Sequence, residues 1–287
     1  MNPIHRTIRL IAASTTAVAL AGSPSIALAQ PPLAGGADSG GPLPIAHTET
    51  VYTNHAPALA KSLGLRSGVD IKADLDAAGH AVRWRVLTDG ATKFAFMQAA
   101  EIAYDKTPVV RFEDLTGDGT PELLVYRKTA RPAEGTGLSV YNGGDGFKLL
   151  FDVTDPAFTI ADLAERYELR AAAGGDGVRF TDPASGLSGV IPAAKASGAA
   201  VEPVTSYEAG AAAAQGAPGS IVAVQRVSGV SDVDGSRTAI GWLRTSYAYR
   251  YGAFVPERQT LTDAQGKTIA AVDLLHSEGP GTDNDDI

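Results

Sequence analysis

The chain has 287 residues, 44% of them apolar, no cysteine and a formal charge of −8. A chain of this length can bury a sizeable core, and the lack of cysteine excludes disulfides, thiolate nucleophiles and a lipid anchor through an N-terminal Cys. The acidic balance argues against nucleic acid and anionic lipid as partners, because an acidic surface repels phosphate groups.

Residues 1–29 read as a removable secretory signal peptide. Arg6 and Arg9 make a positive start, Leu10–Gly22 is an uncharged apolar run, and Ala27-Leu28-Ala29 supplies a small-x-small cleavage site before Gln30. The run is about 13 residues, shorter than the roughly 20 that span a bilayer. Losing Arg6 and Arg9 shifts the charge to −10. The expectation is an exported, soluble protein, periplasmic or extracellular, with no membrane attachment after cleavage.

Residues 30–46 are rich in Pro, Gly and Ala and read as a flexible leader. A β-rich domain is expected over 47–192. Ala56–Leu63 fits a short helix ended by Gly64. Val69, Ile71, Ala73 and Leu75 then alternate with Asp70, Lys72 and Asp74, the period of a strand with one wet face. The alternation returns at Val82, Trp84 and Val86, and again at Phe94 and Phe96, with turns at Asp76–Gly79 and Thr88–Gly90. Short turns between neighbouring strands imply antiparallel hairpins. Leu138–Tyr141, Phe147–Val153, Tyr167–Ala171 and Val178–Thr181 continue the pattern, separated by glycine-rich turns. Thr159–Arg166 suits a helical turn or a strand equally.

The Ala- and Gly-dominated stretch 193–219 reads as a linker or surface excursion. A C-terminal β-rich lobe follows over 220–276, with strands at Ile221–Val230, Thr238–Tyr251, Phe254–Leu261 and Lys267–Leu275. Residues 277–287 form an acidic tail. The fold class is therefore mainly β: antiparallel hairpins in a meander, as a β-sandwich or a partial propeller-like array, with few short helices.

One segment carries metal chemistry. Asp114-Leu115-Thr116-Gly117-Asp118-Gly119-Thr120-Pro121-Glu122 places oxygen side chains at loop positions one, three, five and nine, with glycine at six. Calcium takes six to eight hard oxygen ligands, mixing carboxylates, carbonyls and water. Asp114, Asp118 and Glu122 are the candidate charged ligands, Thr116 a hydroxyl or water-mediated ligand, and Thr120 a backbone carbonyl. Val109–Phe112 and Leu123–Tyr126 flank the loop as strands, and an EF-hand, which needs flanking helices, does not fit. The loop resembles the aspartate-rich calcium loop of FG-GAP and VCBS-type, integrin-like repeats, over about residues 108–138 and in one copy. That resemblance implies a structural calcium site. The nearest rival, Ser231–Gly235, lacks acids at the outer positions and reads as a plain turn.

No catalytic motif accompanies the loop. His47, His55, His80 and His276 show no metal-binding spacing, and there is no Gly-x-Ser-x-Gly elbow or phosphate-binding glycine loop. Triads and carboxylate pairs are assembled by geometry, so a secreted hydrolase stays open. Leu243, Thr245, Tyr247, Tyr249 and Tyr251 share one strand face, which suits core packing or, if exposed, a platform for sugar rings. The functional expectation is an exported β-rich protein with one structural calcium loop. A carbohydrate-binding or adhesion module, with a carbohydrate or protein ligand, is the alternative.

Overall fold

The computed structural model describes residues 45–97, 108–128, 135–153, 164–192, 197–211, 216–230 and 236–274. The signal peptide, residues 30–44 of the leader, the acidic tail, His276 and the rival turn at Ser231–Gly235 lie outside the described residues.

The described chain is mainly β, in four antiparallel sheets. The first sheet holds β1 (His47–Asn54), β2 (Val69–Leu75), β3 (Ala81–Thr88) and β4 (Ala91–Met97). The second holds β5 (Val109–Glu113), β6 (Glu122–Lys128), β7 (Thr136–Asn142) and β8 (Lys148–Val153). The third holds β9 (Glu168–Ala171), β10 (Val178–Asp182) and β11 (Leu187–Ile191). The fourth holds β12 (Ser197–Gly210), β13 (Ser220–Val230), β14 (Arg237–Arg250), β15 (Ala253–Asp263) and β16 (Thr268–Asp273). Sequential strands are spatial neighbours throughout, so each sheet is a simple meander. Helix α1 (Pro57–Ser62) starts on a proline, whose missing N–H costs nothing in a first turn, and Gly64 follows its end at a positive φ of 64°. Residues 164–166 are helical, while the rest of the Thr159–Arg166 segment lies outside the described residues.

The sheets stack through three apolar cores. Val69, Ile71, Ala73, Trp84 and Val86 of the first sheet meet Leu123, Val125 and Tyr141 of the second. The opposite face of the second sheet, through Leu124, Leu138, Val140 and Phe151, meets Tyr207, Ile221, Ala223 and Phe254 of the fourth. Farther along the fourth sheet, Val201, Val227, Leu243 and Leu261 pack on Val178, Phe180, Leu187 and Ile191 of the third. Strand β6 lies inside its sheet and between two cores, which is why Leu123, Leu124 and Val125 are all fully buried.

The segment 193–219, expected as a linker or excursion, instead carries β12 through Ser197–Gly210. Its composition hides three anchoring side chains, since Val201, Val204 and Tyr207 enter the two cores of the fourth sheet. Pro203 is tolerated because β12 is an edge strand, and the pairing with β13 is broken by register shifts on both sides of Val204. Residues before and after this segment therefore share cores. Strands β1 and β11 also went without a sequence signal: β1 is polar, and β11 is five residues long.

Charge is buried at one point of the first sheet. Asp74, 1% exposed, accepts hydrogen bonds from Thr48 Oγ1 at 2.5 Å, Arg85 Nη2 at 2.8 Å and Arg83 Nε at 2.5 Å. Burial pushes its carboxyl up, but these donors together outweigh that and hold it below the usual carboxylate range.

Candidate metal site

The loop between β5 and β6 is a tight connection that turns back through Gly117 and Gly119, both at positive φ (79° and 86°). Its carboxylates serve as local acceptors. Asp114 Oδ1 takes the Gly117 N–H at 2.7 Å, and Oδ2 takes the Gly119 N–H at 2.9 Å. Asp118 Oδ1 takes the Thr120 N–H at 2.7 Å. Glu122 Oε2 takes the N–H of Leu115 at 2.7 Å and of Thr116 at 3.1 Å, and Oε1 takes the Thr116 hydroxyl at 3.3 Å. These bonds answer most of the loop's backbone donors, as Asx-type turns do.

Glu122 is the unusual member. It is fully buried, and among the described residues no basic side chain pairs with it. Burial pushes its carboxyl up, the N–H bonds from Leu115 and Thr116 pull it down, and the neighbouring Asp118 charge raises it again; the sum is upward.

The five predicted ligands thus sit in one loop, where the Thr116 hydroxyl meets Glu122 but the three carboxylates do not gather at one point. Among the described residues no three His, Cys, Asp or Glu side chains gather as a metal-holding group. The donor chemistry suits a hard cation all the same. Three carboxylates lie within nine residues, one of them buried without a counter-charge among the described residues, and each carboxylate oxygen has more than one acceptor site. A calcium ion held here would be ligated by Asp114, Asp118 and Glu122, with Thr116 and Thr120 as neutral oxygens, and would supply charge neutralisation.

Three features that sequence reasoning passed over bear on this loop. Leu115, at its second position, is fully buried and plugs the core between the second and fourth sheets. Its carbonyl accepts the Gly219 N–H at 2.8 Å, tying the loop to the start of β13. Gly117 lies so close to the β12–β13 connection that a Cβ there would stand 2.7 Å from the Ala217 carbonyl oxygen. The only sequence signal was an apolar residue inside a polar loop.

The other candidates are dispersed. His55 Nε2 lies 3.0 Å from Asp70 Oδ1, the same oxygen that accepts the Thr53 hydroxyl at 2.9 Å. The hydroxyl points at the carboxylate and not at the imidazole, so this is no nucleophile–base pair. His80 stands 3.7 Å from Asp76 across an exposed turn. The tyrosine face of β14 is mostly covered: Tyr247 meets Phe151 edge-on at 5.0 Å, and Tyr249 tilts on Phe254 at 5.3 Å. Only Tyr251 is exposed, and it belongs to the following turn. No three-tyrosine platform is formed.

Compared with protein-family models, with curated proteins and with solved structures, the chain matches none.

Proposed function

We propose that this chain is an exported, soluble β-sheet protein whose Asp114–Glu122 loop is a structural calcium site of the FG-GAP or VCBS type. The observation that carries this reading is Glu122. A fully buried carboxylate with no basic partner among the described residues, and with Asp118 beside it, is an electrostatic cost in the metal-free loop. A divalent cation relieves both terms at once. Binding must draw Asp114, Asp118 and Glu122 toward one point, at the expense of some hydrogen bonds that they now make. That exchange suits a weak site, and extracellular modules of this kind bind at about 10⁻⁴–10⁻³ M. Export supports the reading, because the calcium outside a cell reaches that range and no disulfide is available as a staple.

The test is a thermal melt of residues 30–287 in chelator and in 10 mM CaCl₂. Calcium at ten to a hundred times its dissociation constant stabilises by about 1.4–2.7 kcal/mol, a rise of roughly 3–10 °C for a chain of this size. Asp118→Ala is expected to melt at the same temperature in both buffers. An unmoved midpoint in the unsubstituted protein sinks the calcium site.

A further inference from the structure

The two halves of the β5–β6 loop have different neighbours. The exit half is seated on its own sheet. Gly143, in the β7–β8 turn, lies so near the Pro121 carbonyl oxygen that a Cβ has no room there, and a Cβ on Gly144 would stand 3.1 Å from Thr120 Cγ2. The entry half is seated on the fourth sheet. Leu115 fills the core with Tyr207, Ile221 and Phe254, its carbonyl accepts the Gly219 N–H at 2.8 Å, and Gly117 lies against the Ala217 carbonyl. Between the halves stand Gly117 and Gly119, residues that lose the most backbone freedom when held in one conformation.

The proposed calcium ligands fall on both halves. Asp114 and Thr116 flank Leu115 on the entry side, and Thr120 and Glu122 stand on the exit side. One peptide unit joins the two sets of contacts. The Thr116 N–H points to Glu122 Oε2 at 3.1 Å, and the Leu115 carbonyl of the same unit points to Gly219. A trans peptide is planar, with its N–H and C=O directed oppositely, so fixing one end aims the other. A cation that holds Thr116 and Glu122 therefore fixes the direction of the Leu115 carbonyl. That carbonyl is not a ligand, so its bond to Gly219 survives when the carboxylates move toward an ion. We propose that calcium in this loop governs the docking of the fourth sheet on the second, with the Leu115–Thr116 peptide carrying the coupling to Gly219. The inference rests on the calcium reading and adds to it what the ion controls. An ion that binds only the joined geometry slows opening of the joint by the factor 1 + [Ca²⁺]/Kd. By reciprocity, parting the joint weakens calcium.

The experiment is amide hydrogen exchange read by NMR on residues 30–287, in chelator and in calcium at ten to a hundred times its dissociation constant, with a melt in each buffer. The Gly219 N–H is expected to exchange about ten- to a hundredfold more slowly with calcium. The Ala172 N–H, bonded to the Gly177 carbonyl in a turn of the third sheet, is expected to keep its rate. Gly219→Ala puts a Cβ against the Gly210 carbonyl oxygen and parts β12 from β13 at a residue that is no ligand. It is expected to bind calcium about five- to tenfold more weakly by calorimetry. If that variant does not fold, the exchange of the unsubstituted protein decides alone. A midpoint that rises with calcium while Gly219 slows no more than Ala172 overturns the coupling and leaves the calcium site standing. So does a folded Gly219→Ala with undiminished affinity. An unmoved midpoint removes the calcium site, and the coupling with it.

Discussion

Replacing Glu122 separates its two roles, as a hydrogen-bond acceptor in the loop and as a charge available to a cation. In Glu122→Gln the amide oxygen can keep the N–H groups of Leu115 and Thr116, and the new NH₂ can donate to the Thr116 hydroxyl, which turns to accept it. The buried charge disappears and the acceptor set survives. In Glu122→Ala the acceptors go too. Leu115 is fully buried, so its N–H is left without water or partner, at about 1–3 kcal/mol, and the half-buried Thr116 adds roughly 1 kcal/mol. In chelator at pH 7 the Ala variant is thus expected to lose about 2–4 kcal/mol, or roughly 5–15 °C in midpoint. The Gln variant should match or exceed the unsubstituted protein, because the upward-shifted carboxyl shows that burial outweighs the bonds made to the charge. The sign with pH follows. A carboxyl raised by folding binds its proton more readily in the native state, so calcium-free stability falls as pH rises from the unfolded value through the folded one. Acidification from neutrality should recover stability in the unsubstituted protein and recover less in Glu122→Gln. Differential scanning calorimetry at pH 5 and pH 7, with chelator and with calcium, reads all of this. Equal midpoints for the Ala and Gln variants in chelator would refute the hydrogen-bond argument. A calcium-induced rise that survives in Glu122→Gln would remove Glu122 from the ligand set.

Gly117→Ala meets both a φ of 79° and a carbonyl oxygen at 2.7 Å, and should cost about 1–3 kcal/mol, read as a lower urea midpoint. Asp74→Asn leaves Arg83 and Arg85 short of a charge and should cost about 2–3 kcal/mol near pH 7. That difference should shrink below about pH 4 as Asp74 itself takes up a proton, because its carboxyl is held below the ordinary value and its contribution is lost only as pH falls through the lowered one. A difference that stays constant down to pH 2 would contradict the assignment. Edman sequencing of the secreted product is expected to begin at Gln30; an intact Met1 would refute cleavage.

The sequence by itself determined the period of the chain. A repeat of two along Val69–Leu75 and Ala81–Thr88, with turn residues between, leaves a hairpin as the economical pairing, and β2 and β3 are so paired. Local pattern also located the loop from Asp114 to Glu122, because alternating oxygens around a glycine are a short-range signal. Tertiary structure decided what no local pattern encodes. Strand β12 has the composition of a linker and is held by Val201, Val204 and Tyr207 entering cores built by distant segments. The tyrosines of β14 look alike along the chain, yet Phe151 of another sheet covers Tyr247, and the two-residue turn throws Tyr251 into solvent. The loop gained a second role. Its spacing points to a calcium loop, and the tertiary structure adds that Leu115 and Gly117 make the same loop the joint between the second and fourth sheets. Spacing reports which groups a short segment can bring together. What a side chain touches across a core depends on the sheet stacked against it, and the four meanders of the described residues allow many stackings with the same local pattern.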